Sequence, residues 1–60
     1  MTYQEQINLT ANAAVLTFEC DGFAAAEQEK AINISGIVAL TGTKRTTVED
    51  AVNDKIEEII

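Results

Sequence analysis

Apolar residues recur at helical spacing in the last quarter of the chain. Val48, Val52, Ile56, Ile59 and Ile60 fall on one side, while Asp50, Asn53, Asp54, Glu57 and Glu58 fall on the other. That period predicts an amphipathic helix from about residue 46 to residue 60. Thr46 followed three residues later by Glu49 has the form of a capping box, in which hydroxyl and carboxylate each satisfy an orphan backbone donor. In the middle of the chain, Phe23, Ala26, Lys30, Ala31, Ile34, Ile37, Val38 and Thr41 share one stripe if the span is a single helix. Asn33, Ser35 and Gly36 predict a break near Ser35, because Asn and Ser compete for backbone hydrogen bonds and glycine costs about 1 kcal/mol against alanine. The β-branched residues leave open a second reading, with strands at residues 31–34 and 37–40.

The first third also carries two readings. Thr10 can cap a helix over residues 11–20 that ends at Gly22, with Ala11, Ala14, Val15 and Phe18 on one face and Ala13, Leu16 and Cys20 on another. A helix apolar on two faces is expected to be buried on both. The alternative is a hairpin of residues 6–10 and 14–18; the helix is preferred. Asp21-Gly22 and Thr41-Gly42 are the turn signals that divide the chain into three parts. The expected fold is all-α: one domain over residues 1–60, with three helices.

Sixty residues bury only about 60% of the surface that the unfolded chain exposes, so stability is expected to be marginal without a staple. One cysteine and no histidine supply neither a disulfide nor a zinc site of the usual kind. A single thiol in so small a domain points to a reducing compartment, with the cytoplasm as the expectation. Neither a signal peptide nor a membrane span is expected. Cys20 is expected to be a small buried apolar residue. The carboxylates lack the loop spacing of a calcium site, and no glycine-rich phosphate loop is present. With no histidine, no cofactor motif and no nucleophile beside a base, the sequence does not read as an enzyme and implies no cofactor, metal or small-molecule substrate. Tyr3, Phe18 and Phe23 are too scattered to form a stacking platform for single strands.

Residues 34–56 resemble the helix-turn-helix of bacterial and phage transcriptional regulators. Val38 sits four positions before the turn glycine Gly42, Val48 six after it and Ala51 three further on, while Thr43 stands where the family has an apolar residue. Leu9-Thr10 and the alanines after them are similar to the opening of the first helix in winged-helix regulators. The resemblance implies a trihelical form without a wing, binding DNA as a dimer. The second helix of the motif would enter the major groove by its N-terminal residues. Lys44, Arg45, Thr46 and Thr47 are then the candidates for phosphate or guanine contact, and Asn53 the candidate for adenine.

Charge pulls the other way. Ten carboxylates against Lys30, Lys44, Arg45 and Lys55 leave a net charge of −6, a field that repels nucleic acid and attracts basic partners. The alternative is therefore an acidic interaction module or inhibitor that binds a basic protein surface, that of a DNA-handling protein being the expectation, with Asp50, Asp54, Glu57 and Glu58 as candidate contacts. The aliphatic face of the last helix holds more apolar surface than so small a core readily absorbs. Val48, Val52, Ile56, Ile59 and Ile60 are thus the candidates for a homodimer interface.

Overall fold

The computed structural model describes residues 1–60 and resolves the ambiguous first third as one helix, α1 (Tyr3–Asp21), followed by α2 (Phe23–Thr41) and α3 (Arg45–Ile59). No strand is present, so both the hairpin and the paired-strand alternatives are set aside.

α1 starts well before Thr10, which lies buried in mid-helix and caps nothing. The cap is Thr2, in extended conformation. Its hydroxyl accepts the Glu5 N–H at 3.1 Å, and the Glu5 carboxylate accepts the Thr2 N–H at 2.9 Å. These reciprocal bonds form the capping box that the sequence suggested for Thr46 and Glu49. At α3 the N-cap is Lys44, without a side-chain cap, and Thr46 lies inside the first turn. Glu49 reaches Arg45 Nε at 3.3 Å instead. A Thr-x-x-Glu spacing one turn inside a helix presents the hydroxyl to N–H groups already committed to the helix, so the box cannot close there.

α2 runs through Asn33, Ser35 and Gly36 without interruption. The Ser35 hydroxyl donates back to the Ala31 carbonyl at 3.0 Å, a bond compatible with continuous helix. The break predicted at Ser35 is absent because the apolar residues on either side of it, Ile34 and Ile37, are both buried against the other helices. Their packing offsets the poor local propensity.

The breaks fall at two glycines. Gly22 lies at φ 94° and ψ 179°, a region essentially restricted to glycine, and serves as C-cap of α1 and N-cap of α2 at once. Its N–H donates to the Phe18 carbonyl at 3.0 Å, and its own carbonyl accepts from Ala26 at 3.2 Å. Gly42 is left-handed at φ 72°, and its N–H closes α2 on the Val38 carbonyl at 2.9 Å.

The core is small. Ile7 and Ala11 from α1, Ile34 and Ile37 from α2, and Val48 and Val52 from α3 form one buried cluster, with Tyr3, Val38, Ala51 and Ile56 packed against its edge. Ile7, Thr10, Ala11 and Ala14 repeat at i, i+3, i+4 and i+7, which fixes the inward face of α1. Small side chains at Ala11, Ala14 and Ala26 let the helices approach closely, and α1 packs along both of the others while α2 and α3 touch more sparingly. The radius of gyration, 10.6 Å, is about that of a compact chain of this length.

Three sequence expectations are corrected by burial. Val48 and Val52 have no exposed surface, so they are core residues with nothing to offer a second copy; Ile56 is half-buried against the same core. Cys20 is exposed, in the last turn of α1. The second apolar face of α1 is not buried, since Leu16 and Cys20 are both exposed, and Phe18 of the first face is more than half exposed too. Three helices supply only enough surface to cover one face of each.

Two expectations follow. Ile34→Ala should lower unfolding free energy by about 2–5 kcal/mol, against a total of ~3–9 kcal/mol for a chain of this size, so urea titration followed by circular dichroism should find its midpoint strongly lowered. A second concerns pH. Hydrogen bonding from the Thr2 backbone N–H, then from its side chain, holds the Glu5 carboxyl below its ordinary value. A lowered folded-state value stabilises above the unfolded-state value and loses that contribution as pH falls through the folded one. Protection factors for amides at the start of α1, corrected for the intrinsic pH dependence of exchange, should therefore fall on acidification in the wild type. Glu5→Gln, which keeps an acceptor for the Thr2 N–H but has no carboxyl to titrate, should lose this pH dependence.

Candidate interaction groove and the α2–α3 turn

Two regions hold the residues that the sequence singled out, and they lie at opposite ends of α3. The first is the turn from α2 to α3. Gly42 ends α2, Thr43 is half-buried and is tied to Thr41 Oγ1, which accepts from the Thr43 N–H at 3.3 Å, and Lys44 begins α3. Lys44, Arg45, Thr46 and Thr47 are all exposed here. Arg45 is not free to reach outward, however. Its guanidinium folds back over α2, donating to Ser35 Oγ at 2.8 Å and to the Ala31 carbonyl at 3.4 Å, while Nε faces Glu49. It ties the start of α3 to the middle of α2.

Asn53 is also engaged. Its side-chain oxygen accepts from Lys30 Nζ at 3.1 Å, and the same ammonium meets Glu27 at 2.9 Å. Reading an adenine edge takes both the oxygen and the amino group of an Asn, and here the oxygen already serves as an α2–α3 link. Lys55 lies 3.7 Å from Glu58. Lys44 is therefore the one side-chain cation outside these ion pairs.

The second region is an open groove of about 530 Å³ where the end of α1, the start of α2 and the end of α3 converge. Val15, Phe18, Phe23, Ile56 and Ile60 supply its apolar wall. Phe18 and Phe23 flank the Gly22 turn and meet edge to face, with ring centroids 6.5 Å apart. Both rings stay outside the core, 54% and 66% exposed. Glu19, Glu27 and Glu57, one from each helix, also line the groove, with Lys30 and Asn53 beside them. Only Glu27 has a cationic partner among them. A shallower trough continues the apolar surface past Leu16 and Ile59.

Among the acidic candidates, Glu57 reaches this groove; Asp50, Asp54 and Glu58 are exposed on α3 but do not line it. Of the proposed interface residues, Ile56 and Ile60 line it, and Ile59 lines the trough. The contributions of Val15, Phe18, Phe23, Glu19 and Glu27 were missed, because helical periodicity ranks residues within one helix and the groove is assembled from three. Two aromatic residues set on either side of a glycine turn were the available signal. No cluster of three or more Cys, Asp or Glu side chains is arranged to hold a metal ion, and no helix is long and apolar enough to cross a membrane. Comparison with known protein families, with curated proteins and with solved structures finds no match to this chain.

The Arg45 strap is open to a direct test. Arg45→Ala removes a charge-assisted bond and should cost about 1–2 kcal/mol in urea denaturation, with helicity retained. A change no larger than that of an ordinary surface substitution would show that the guanidinium does not hold α3 to α2.

Proposed function

We propose that the protein is an acidic protein-interaction module whose groove at Phe18, Phe23, Ile56 and Ile60 takes a basic amphipathic segment of a partner protein. The observation that carries this is the combination of a concave apolar wall with carboxylates from all three helices at its edge. An amphipathic helix can lay its apolar side against Phe18, Phe23 and Ile60 while its Lys and Arg side chains meet Glu19 and Glu57. Desolvation of the aromatic rings supplies affinity, and the charged rim supplies orientation and on-rate. The net charge of −6 steers such a partner at long range.

The helix-turn-helix reading is the second, and one observation favours it. Lys44 stands with the exposed Thr46 and Thr47 at the uncapped N-terminus of α3, the positive end of that helix dipole. It has less to work with than its sequence suggests. Arg45 and Asn53 would have to leave their α2 partners before reaching DNA, and Asp50 and Asp54 follow on the same helix. The phosphate term that dominates non-specific affinity is thus supplied mainly by one lysine.

One pair of titrations separates the two. A fluorescent amphipathic peptide of Lys and Leu should bind the intact protein, weaken as salt is added, and lose about tenfold or more in affinity with Phe23→Lys or with Glu19 and Glu57 both changed to Lys. Duplex DNA at low salt should show no binding. Peptide affinity that is indifferent to these variants would overturn the groove reading. DNA affinity that is lost on Lys44→Glu would establish the other.

A further inference from the structure

A second apolar surface lies on the side of α2 turned away from the groove, and it shares no residue with it. Ile32 and Leu40 project from this side with 71% and 77% of their surface exposed, and Gly36 stands midway, four residues from each. Gly36 lies within α2, not at either end of it, and is not among the positive-φ glycines. A methyl group placed on it meets no atom within 4 Å. Nothing inside the chain accounts for a residue that disfavours helix relative to alanine at this position.

The strip has a second property. Gln28, Ile32, Ser35, Gly36, Ala39 and Leu40 carry no charge, in a chain whose net charge is −6. The charged neighbours are drawn off to its edges: the Glu29 carboxylate accepts from the Thr17 hydroxyl of α1 at 2.9 Å, and Arg45 is held on Ser35 and Ala31. Two copies of so acidic a chain repel one another, and an uncharged strip is where they approach at least electrostatic cost. The spacing is also self-complementary. In an antiparallel helix pair related by a two-fold axis through Gly36, residue 32 of each copy comes level with residue 40 of the other. Ile32 then packs on Leu40 twice, as an isologous interface requires. The missing side chain at Gly36 sits at the crossing point, where it permits close backbone approach.

We propose that the protein self-associates through this strip, as an antiparallel two-fold dimer of α2 helices crossing at Gly36. The face is independent of the groove, so each copy in the dimer keeps its groove open. Association strengthens with salt, since screening removes the repulsion between the two acidic chains while leaving the apolar contact intact.

Sedimentation equilibrium of the intact chain tests this. The mass should rise with concentration from 6.5 kDa towards twice that value, and rise further at higher salt. Ile32→Glu alone should return the monomer mass across the range, with unchanged circular dichroism because the position is exposed. Ile32→Glu combined with Leu40→Lys should restore part of the association, since the two-fold places each new carboxylate beside a new ammonium. Phe23→Lys, which lies in the groove, should leave the dimer as it was. A monomer mass at every concentration, a dimer indifferent to Ile32→Glu, or a charge-paired double variant that stays monomeric would each overturn the proposal.

Discussion

The whole domain rests on the mutual burial of Ile7, Ile34, Val48 and Val52, one or two large side chains from each helix. No disulfide supplements that contact, and only nine residues are buried in total, so every other feature has to be compatible with keeping these four together. Alanine at positions 11, 14 and 26 follows from that constraint. Larger side chains there would hold the helices apart and leave the four aliphatic groups partly wet. The same constraint explains why α2 continues through Ser35 and Gly36. Breaking the helix between Ile34 and Ile37 would take one of them out of the core, at a cost well above the local preference of two weak helix formers.

A core this small covers one stripe of each helix and no more. Part of the apolar surface left over lies in the groove at the Gly22 turn and part on the outer strip of α2, and the two differ in electrostatic setting. Glu19, Glu27 and Glu57 line the groove together with Lys30. The residues of the α2 strip carry no charge. Apolar area alone does not distinguish the two surfaces; the charges at their edges do.

The polar links between helices are few and serve position more than stability. Lys30 bridges Glu27 and Asn53, Thr17 reaches Glu29, and Arg45 returns to Ser35. Because α2 and α3 touch sparingly through apolar contact, Lys30 and Arg45 set the angle between them at two separated points. This use of Arg45 and Asn53 changes how the turn at Gly42 is to be understood. Residues that resemble the contact positions of a DNA-reading helix act within the chain as struts, and the acidic remainder of α3 faces solvent.

Much of the fold was legible in the residues themselves. The all-α class, the divisions at Gly22 and Gly42 and the inward face of α3 follow from periodicity and from backbone conformations that glycine alone adopts cheaply. These are local properties, set by a residue and its neighbours within a turn or two. What the residues did not reveal was which of several equivalent local choices would be used. Thr2 and Thr46 both precede a Glu by three positions, and only the placement of the core decides that the box closes at the first. Leu16, Phe18 and Ile32 are as apolar as Ile7 and Ile34, yet they stay outside because three helices have a limited inner surface and Val48 and Val52 already occupy it. The groove, the uncharged strip and the engagement of Arg45 arise from distances between residues far apart in the chain. Tertiary packing alone sets those distances.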